Sequence, residues 1–180
     1  MKTKIIILGI SLFSFFTITN AQGTKITFAD MLSFSSTVDF PADVFSCMEK
    51  KGLTFSQKEN YNDLFKSAVA DQHIDLSNCN RYYYSGKKCT VIISFCEKLV
   101  RDKMMECTRM ITIGAELPEY FDSLVDKIKS NCVYSKTEDS QYNNIPVKTF
   151  YYNHKSGAVF SFKKYLGDNN KMEYYIVVKI

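Results

Sequence analysis

An internal repeat constrains this 180-residue chain more than any other feature of its sequence. A shift of 67 positions aligns Arg81 to Ile113 with Lys148 to Ile180 without a gap. Self-similarity at a fixed offset indicates that one structural unit occurs twice. The identities include Tyr84 with Tyr151, Ser94 with Ser161, Phe95 with Phe162, Leu99 with Leu166, Met105 with Met172 and Glu106 with Glu173.

A helix is predicted at the start of each copy. The stretches that begin at Pro41 and Pro118 carry proline where the first turn of a helix accepts it. They end near Gly52 and Asn131, residue types that readily take the left-handed conformation after a helix. The second stretch has one apolar stripe, formed by Phe121, Leu124, Val125 and Ile128. A further short helix is predicted at residues 27–34.

Strands rich in Tyr, Phe, Val and Ile follow both helices. We therefore predict an α+β fold, a tandem duplication of a helix followed by about four antiparallel strands, with the helices packed on one face of the sheet. Repeat 1 spans residues 22–116 and repeat 2 spans residues 117–180. The offset rises from 67 to 79 upstream, so repeat 1 holds an insertion of twelve residues within positions 60–80. Such insertions usually form surface loops, often on the binding side.

The last two strands of each copy are predicted to form a hairpin. In repeat 2 a two-residue turn centred on Asp168 and Asn169 suits the residue types present. Carrying that register back through the repeat places Cys96 opposite Cys107, which predicts a disulfide between them. The alternative is two unpaired cysteines packed as small apolar residues. The remaining cysteines, for which the sequence selects none of three possible pairings, are Cys47, Cys79, Cys89 and Cys132.

The amino terminus has the pattern of a secretory signal peptide, residues 1–21. Lys2 and Lys4 precede a short apolar run, and small residues precede a cut after Ala21. A membrane anchor is the alternative, but spanning a bilayer takes about 20 apolar residues. We expect a secreted or periplasmic protein with no membrane span after cleavage, and an even cysteine count suits that compartment. Its formal charge falls from +4 to +2 with the loss of two lysines, which argues against a nucleic-acid partner.

A second hypothesis rests on His73 within the insertion. Asp71, Asp75 and Cys79 are its neighbours in sequence, so His73 could act as a general base with a carboxylate, or could activate Cys79 as a nucleophile. No oxyanion motif or glycine-rich elbow accompanies them, and a polar surface loop is the interpretation that we favour for these residues. With two histidines and no C-x-x-C motif, the sequence predicts no metal site and no cofactor.

Tyrosines recur on the predicted strands. Tyr82, Tyr84, Tyr151 and Tyr175 are candidates for a protein-binding sheet face, to which His73 could contribute from the insertion. The alternative is that strands simply favour aromatic residues.

The expected function is that of a noncatalytic protein-binding module with an inhibitory, immunity-type or envelope-assembly role. Its expected partner is another exported or envelope protein. The alternative is a small secreted hydrolase that uses His73 with Asp71 or Asp75, or with Cys79.

Overall fold

A computed structural model of the chain describes residues 25–61, 74–75, 78–100, 104–167 and 170–180. The fold is mixed α+β and is built around an antiparallel sheet. The segment predicted as a signal peptide and most of the insertion lie outside the described residues. The described elements are, in chain order, α1 Phe28–Ser35, α2 Ala42–Lys50, β1 Thr54–Asn60, β2 Ile74–Asp75, β3 Cys79–Ser85, β4 Cys89–Val100, β5 Met104–Ala115, α3 Pro118–Asn131, β6 Val133–Tyr142, β7 Ile145–Asn153, β8 Val159–Leu166 and β9 Met172–Lys179.

All three predicted helices are present. Thr27 caps α1 in a capping box with Asp30, in which each side chain accepts a hydrogen bond from the other residue's backbone N–H. Helix α2 starts directly after Pro41, and the chain leaves it through Gly52 at φ 70°. Helix α3 starts at Pro118, as predicted. The expectation for Asn131 is wrong, because Asn131 is the last helical residue and the chain then continues in an extended conformation at Cys132.

Eight strands form one sheet in the order β1-β3-β4-β5-β9-β8-β7-β6, and the short β2 pairs with the far end of β4. Each neighbouring pair is antiparallel, and β5 pairs with β9 at the centre. Strands β1 and β6 are the edge strands of this order as far as the structure describes the chain. The described part of the chain contains no helix with both the length and the apolar character needed to cross a bilayer.

The core combines the apolar sides of the helices with alternate residues of the central strands. Because successive strand residues point to opposite faces, these alternate positions all belong to one side of the sheet. The fully buried strand residues in this cluster are Cys89, Val91, Ile93, Ile111, Ile113, Phe160, Ile176 and Val178. The helices contribute Met31, Phe34, Val44, Met48, Phe121, Leu124, Val125 and Ile128 to the same cluster.

Strand registers recur along the chain. Ile93 pairs with Ile111, and 67 residues later Phe160 pairs with Val178. Ile111 also pairs with Val178 across the centre of the sheet, and these two residues are themselves 67 positions apart in the sequence. Both edge strands shift register at matching places, between Phe55 and Gln57 in β1 and between Tyr134 and Lys136 in β6, which are 79 positions apart.

The disulfide differs from the one that the sequence predicts. Cys96 is bonded to Cys79, its directly opposed partner on β3, and not to Cys107. Cys107 lies opposite Glu97, one position away from the expected register.

The physical reason for this difference is the length of a turn. Strand β8 ends at Leu166 and β9 begins at Met172, so five residues connect them where a two-residue turn was predicted. Gly167 N–H donates to the Lys171 carbonyl at 2.8 Å across this connection. An odd number of connecting residues shifts the pairing by one position relative to a two-residue turn. The β4–β5 hairpin also has an odd number, because three residues separate Val100 from Met104, and Cys96 therefore pairs with Thr108.

Candidate functional site

The candidate site is the side of the sheet opposite the core cluster, which we call the outer face. Its residues alternate with the core residues along six strands, and many of them are half-buried. The half-buried ones include Tyr83 on β3, Thr90 and Ile92 on β4, Met110 and Thr112 on β5, Tyr175 and Val177 on β9, Ser161 and Lys163 on β8, and Thr149 and Tyr151 on β7. Ser94 on β4 and Tyr165 on β8 belong to the same face and are buried.

One row of side chains crosses the outer face from end to end. Tyr83 pairs with Ile92, Ile92 with Thr112, Thr112 with Val177, Val177 with Ser161 and Ser161 with Tyr151. The middle of this row has no charged residue, and a tyrosine stands at each end. An uncharged centre bounded by tyrosines resembles the core of a protein interface, where charged residues are depleted and tyrosine is enriched.

Two shallow grooves cross the outer face and share Tyr175. The first has a volume of about 390 Å³ and is lined by residues that include Met110, Tyr151, Lys163 and Val177. The second has a volume of about 500 Å³ and is lined by residues that include Tyr83, Glu116 and Glu173. Together, their lining residues come from all six strands of the outer face, from β3 to β7.

A lysine and two tyrosines form a cluster between these grooves. The Lys163 ammonium lies 5.3 Å from the ring centroid of Tyr165 and 5.8 Å from that of Tyr175. The two rings stack with centroids 5.7 Å apart, and Tyr175 Oη donates to Glu173 Oε2 at 2.7 Å. Partial burial and the bond to Glu173 raise the pKa of Tyr175 to about 12. Burial and the neighbouring Tyr175 also raise the pKa of Tyr165, so both phenols remain neutral donors at ordinary pH.

A tyrosine–glutamate hydrogen bond stands at each end of the central row. Tyr83 Oη donates to Glu59 Oε2 at 2.5 Å on one side, and Tyr151 Oη donates to Glu138 Oε2 at 2.7 Å on the other. Burial and the Glu59 bond raise the pKa of Tyr83. The bond to Glu138, followed by burial, raises the pKa of Tyr151. Each pair holds a ring at the rim of the outer face in a fixed orientation.

A cation accompanies each of these pairs. The Lys136 ammonium lies 2.5 Å from Glu138 Oε1 and 5.1 Å from the ring centroid of Tyr151. Hydrogen bonds from Lys136 and Tyr151 hold the pKa of Glu138 below its usual value. At the opposite end, Arg81 donates from Nε to Tyr61 Oη at 2.9 Å. The rim of the outer face therefore carries charged groups that are paired with one another, while the central row carries no charge.

The four predicted tyrosines are divided between the two faces. Tyr151 and Tyr175 lie on the outer face, whereas Tyr84 is buried and Tyr82 packs against the core cluster. The Tyr82 ring lies 4.6 Å from that of Phe45 on α2. The expectation that all four share one exposed face is therefore wrong. Phe55 pairs with Tyr84, and Tyr134, which lies 79 positions after Phe55, pairs with Tyr152. The residues in matching positions on β3 and β7 are therefore 68 apart and not 67, and a shift of one residue reverses the direction of a strand side chain.

The residues of the hydrolase hypothesis are not brought together in the described structure. Asp71 and His73 lie outside the described residues, and Asp75 belongs to β2, which pairs with β4. Cys79 is fully buried and its sulfur is bonded to Cys96, so it carries no thiol that could act as a nucleophile. His154, the other histidine, lies in the turn before β8, where its Nδ1 accepts a hydrogen bond from Ser156 N–H at 3.1 Å.

Several outer-face residues were not singled out from the sequence. The positions of Tyr83, Lys163 and Tyr165 on this face depend on how the strands pair, and no local sequence motif predicts that pairing. The sequence does contain an indication of the two glutamates that bind Tyr83 and Tyr151. Glu59 and Glu138 are 79 positions apart, which is the offset that aligns the two segments in this part of the chain.

Among the described residues, no group of three His, Cys, Asp or Glu side chains is placed to hold a metal ion. Comparisons with known protein families, with curated proteins and with solved structures find no match to this chain.

Proposed function

We propose that the chain is a tandem duplication in which all helices cover one face of a shared sheet and leave the outer face for a partner. The equal registers of the hairpins at an offset of 67 support the duplication. So do the matching register shifts of the two edge strands at an offset of 79. The pairing of Ile111 with Val178 is that expected of two copies related by a two-fold axis through the sheet centre.

We further propose that the protein is a noncatalytic binding module whose recognition surface is the outer face. The observation that carries this proposal is the uncharged row from Tyr83 to Tyr151, which is bounded at both ends by internally satisfied Tyr–Glu pairs. Aromatic rings held in place lose little conformational freedom on binding, which favours affinity. An inhibitory, immunity-type or envelope-assembly role would use such a surface.

The partner is proposed to be another exported or envelope protein. A disulfide between Cys79 and Cys96 suits an oxidising compartment, and the amino-terminal pattern predicts export. A partner surface that offers apolar groups at its centre and hydrogen-bonding groups at its rim would complement the outer face.

Capture from the exported fractions of the source cells tests this proposal. The chain from Gln22 onwards is immobilised and compared with a Val177→Lys variant, which places a charge at the centre of the uncharged row. Asp126→Lys is the matched control, because Asp126 is an exposed residue of α3 and belongs to the opposite side of the molecule. A protein retained by the parent and by the control variant, but lost with Val177→Lys, is then purified and its affinity measured directly.

The expected result is a loss of at least tenfold in affinity, because a buried unpaired charge is strongly unfavourable at an interface core. Equal binding of the purified partner to the parent and to Val177→Lys would reject the outer face as the recognition surface. The insertion is tested separately by deleting residues 62–77, a deletion that leaves Cys79 and its disulfide in place.

A further inference from the structure

A cavity on the helical side of the molecule is separate from the outer face. Its volume is about 450 Å³, within the range typical of small-molecule sites. It lies between the first turn of α1 and one flank of α3, which lines it at helical spacing. The lining residues are Lys25, Ile26, Thr27, Phe28, Ala29, Tyr120, Ser123, Leu124, Lys127 and Asn131.

The floor of the cavity is apolar and fixed. Ile26 is fully buried and Leu124 is nearly so, and both belong to the core cluster. Tyr120 Oη donates to the Ile26 carbonyl at 2.6 Å, which ties the segment before α1 to α3. Burial raises the pKa of Tyr120, so this hydrogen bond persists across the ordinary pH range. An alkyl chain or an aromatic ring could lie against this floor without displacing a charged group.

The charge of the cavity is positive. Lys25 and Lys127 are both exposed at its rim, and no acidic residue lines it. Within the described residues, neither ammonium group forms an ion pair with a carboxylate. Asp30, which follows Ala29 in α1, is bound to Lys51 Nζ at 2.8 Å and to Thr27. Glu119, Asp122 and Asp126 of α3 are next to lining residues in sequence, but none of them lines the cavity. Two unpaired cations above an apolar floor are complementary to an anion that carries an apolar tail.

We propose that this cavity binds a small anionic amphiphile, a carboxylate on an aliphatic or aromatic body. The carboxylate lies between Lys25 and Lys127, and the apolar body lies against Ile26, Phe28 and Leu124. Charge-assisted hydrogen bonds from the two ammonium groups orient the ligand, and burial of its tail supplies the rest of the affinity. This site is independent of the proposed protein-binding function, because none of its residues belongs to the outer face.

Calorimetric titration of the chain from Gln22 onwards with octanoate tests the proposal. The neutral 1-octanol, which has the same alkyl chain, reports the contribution of the tail alone. Lys127→Met keeps the aliphatic stem and removes the charge, and Lys87→Met is the matched control, since Lys87 is an exposed lysine in the turn between β3 and β4. A second variant, Ala29→Trp, blocks the cavity from the exposed first turn of α1.

The expected result is saturable binding of octanoate that weakens about tenfold in Lys127→Met and disappears in Ala29→Trp, with no change in Lys87→Met. Octanol should bind more weakly than octanoate, and added salt should reduce the difference. Absence of saturable octanoate binding, or equal octanoate affinity in the parent and in Lys127→Met, would overturn the proposal. Circular dichroism of each variant verifies folding, so a lost signal is assigned to the site.

Discussion

Removal of the Cys79–Cys96 disulfide should destabilise the protein substantially. The bond joins two directly opposed residues on β3 and β4, at a separation of 17 residues. In the chain-entropy description, a crosslink that closes a loop of this size stabilises the folded state by about 3 kcal/mol. For a chain of this length, 3 kcal/mol corresponds to a decrease in Tm of roughly 6–12 °C.

The experiment replaces both residues, Cys79→Ala and Cys96→Ala, and measures unfolding by urea and by heat. Alanine suits the site because Cys79 is fully buried and a polar replacement would add a desolvation cost. Cys132→Ala is the matched control, since Cys132 is half-buried and its thiol is free. The control should change the free energy of unfolding by less than about 1 kcal/mol.

Two results would refute this reasoning. An unfolding midpoint of the double variant equal to that of Cys132→Ala would show that the crosslink contributes nothing. Mass spectrometry of the unreduced, proteolysed parent should yield a peptide that joins Cys79 to Cys96. A peptide that joins Cys96 to Cys107 instead would contradict the strand register.

Three further predictions concern local interactions. Thr27→Ala removes one half of the capping box of α1 and should cost about 1 kcal/mol in urea unfolding, whereas Ser33→Ala on the exposed side of α1 should cost less than half of that. Ile111→Ala, at the fully buried centre of the sheet, should cost about 2–5 kcal/mol by the same measurement, and a cost below 1 kcal/mol would contradict its placement. Ultraviolet titration should reveal a phenol with a pKa of about 12 that Tyr175→Phe eliminates. Because the folded pKa of Tyr175 exceeds its ordinary value of 10, its contribution to stability is complete below pH 10 and is lost as pH rises towards 12, so the parent and Tyr175→Phe should differ less at pH 12 than at pH 9.

The helices could be predicted because their signals are local. Thr27 with Asp30, proline at the start of two helices and the apolar stripe of α3 each act within a few residues of the element they specify. The antiparallel sheet was also predictable from alternating apolar residues and turn residues. The described elements agree with these predictions.

Register could not be predicted, because it depends on turn lengths to within one residue. The connection after Leu166 has five residues, and its glycine and asparagines are equally suited to a shorter turn. The same sensitivity affected the tyrosines, since a difference of one residue in register places Tyr84 in the core and Tyr151 on the outer face. The disulfide pairing and the set of residues on the outer face both depend on register, so the sequence did not predict either correctly.

Site-specific photo-crosslinking tests the outer face most directly as a protein-binding surface. A photoreactive amino acid replaces Val177 at the centre of the outer face in one form of the protein, and Asp126 on α3 in another. Both forms are irradiated in the exported fraction of the source cells. Our account predicts one crosslinked partner from position 177 and none from position 126. Crosslinking of the same protein from both positions, from position 126 alone or from neither position would contradict it.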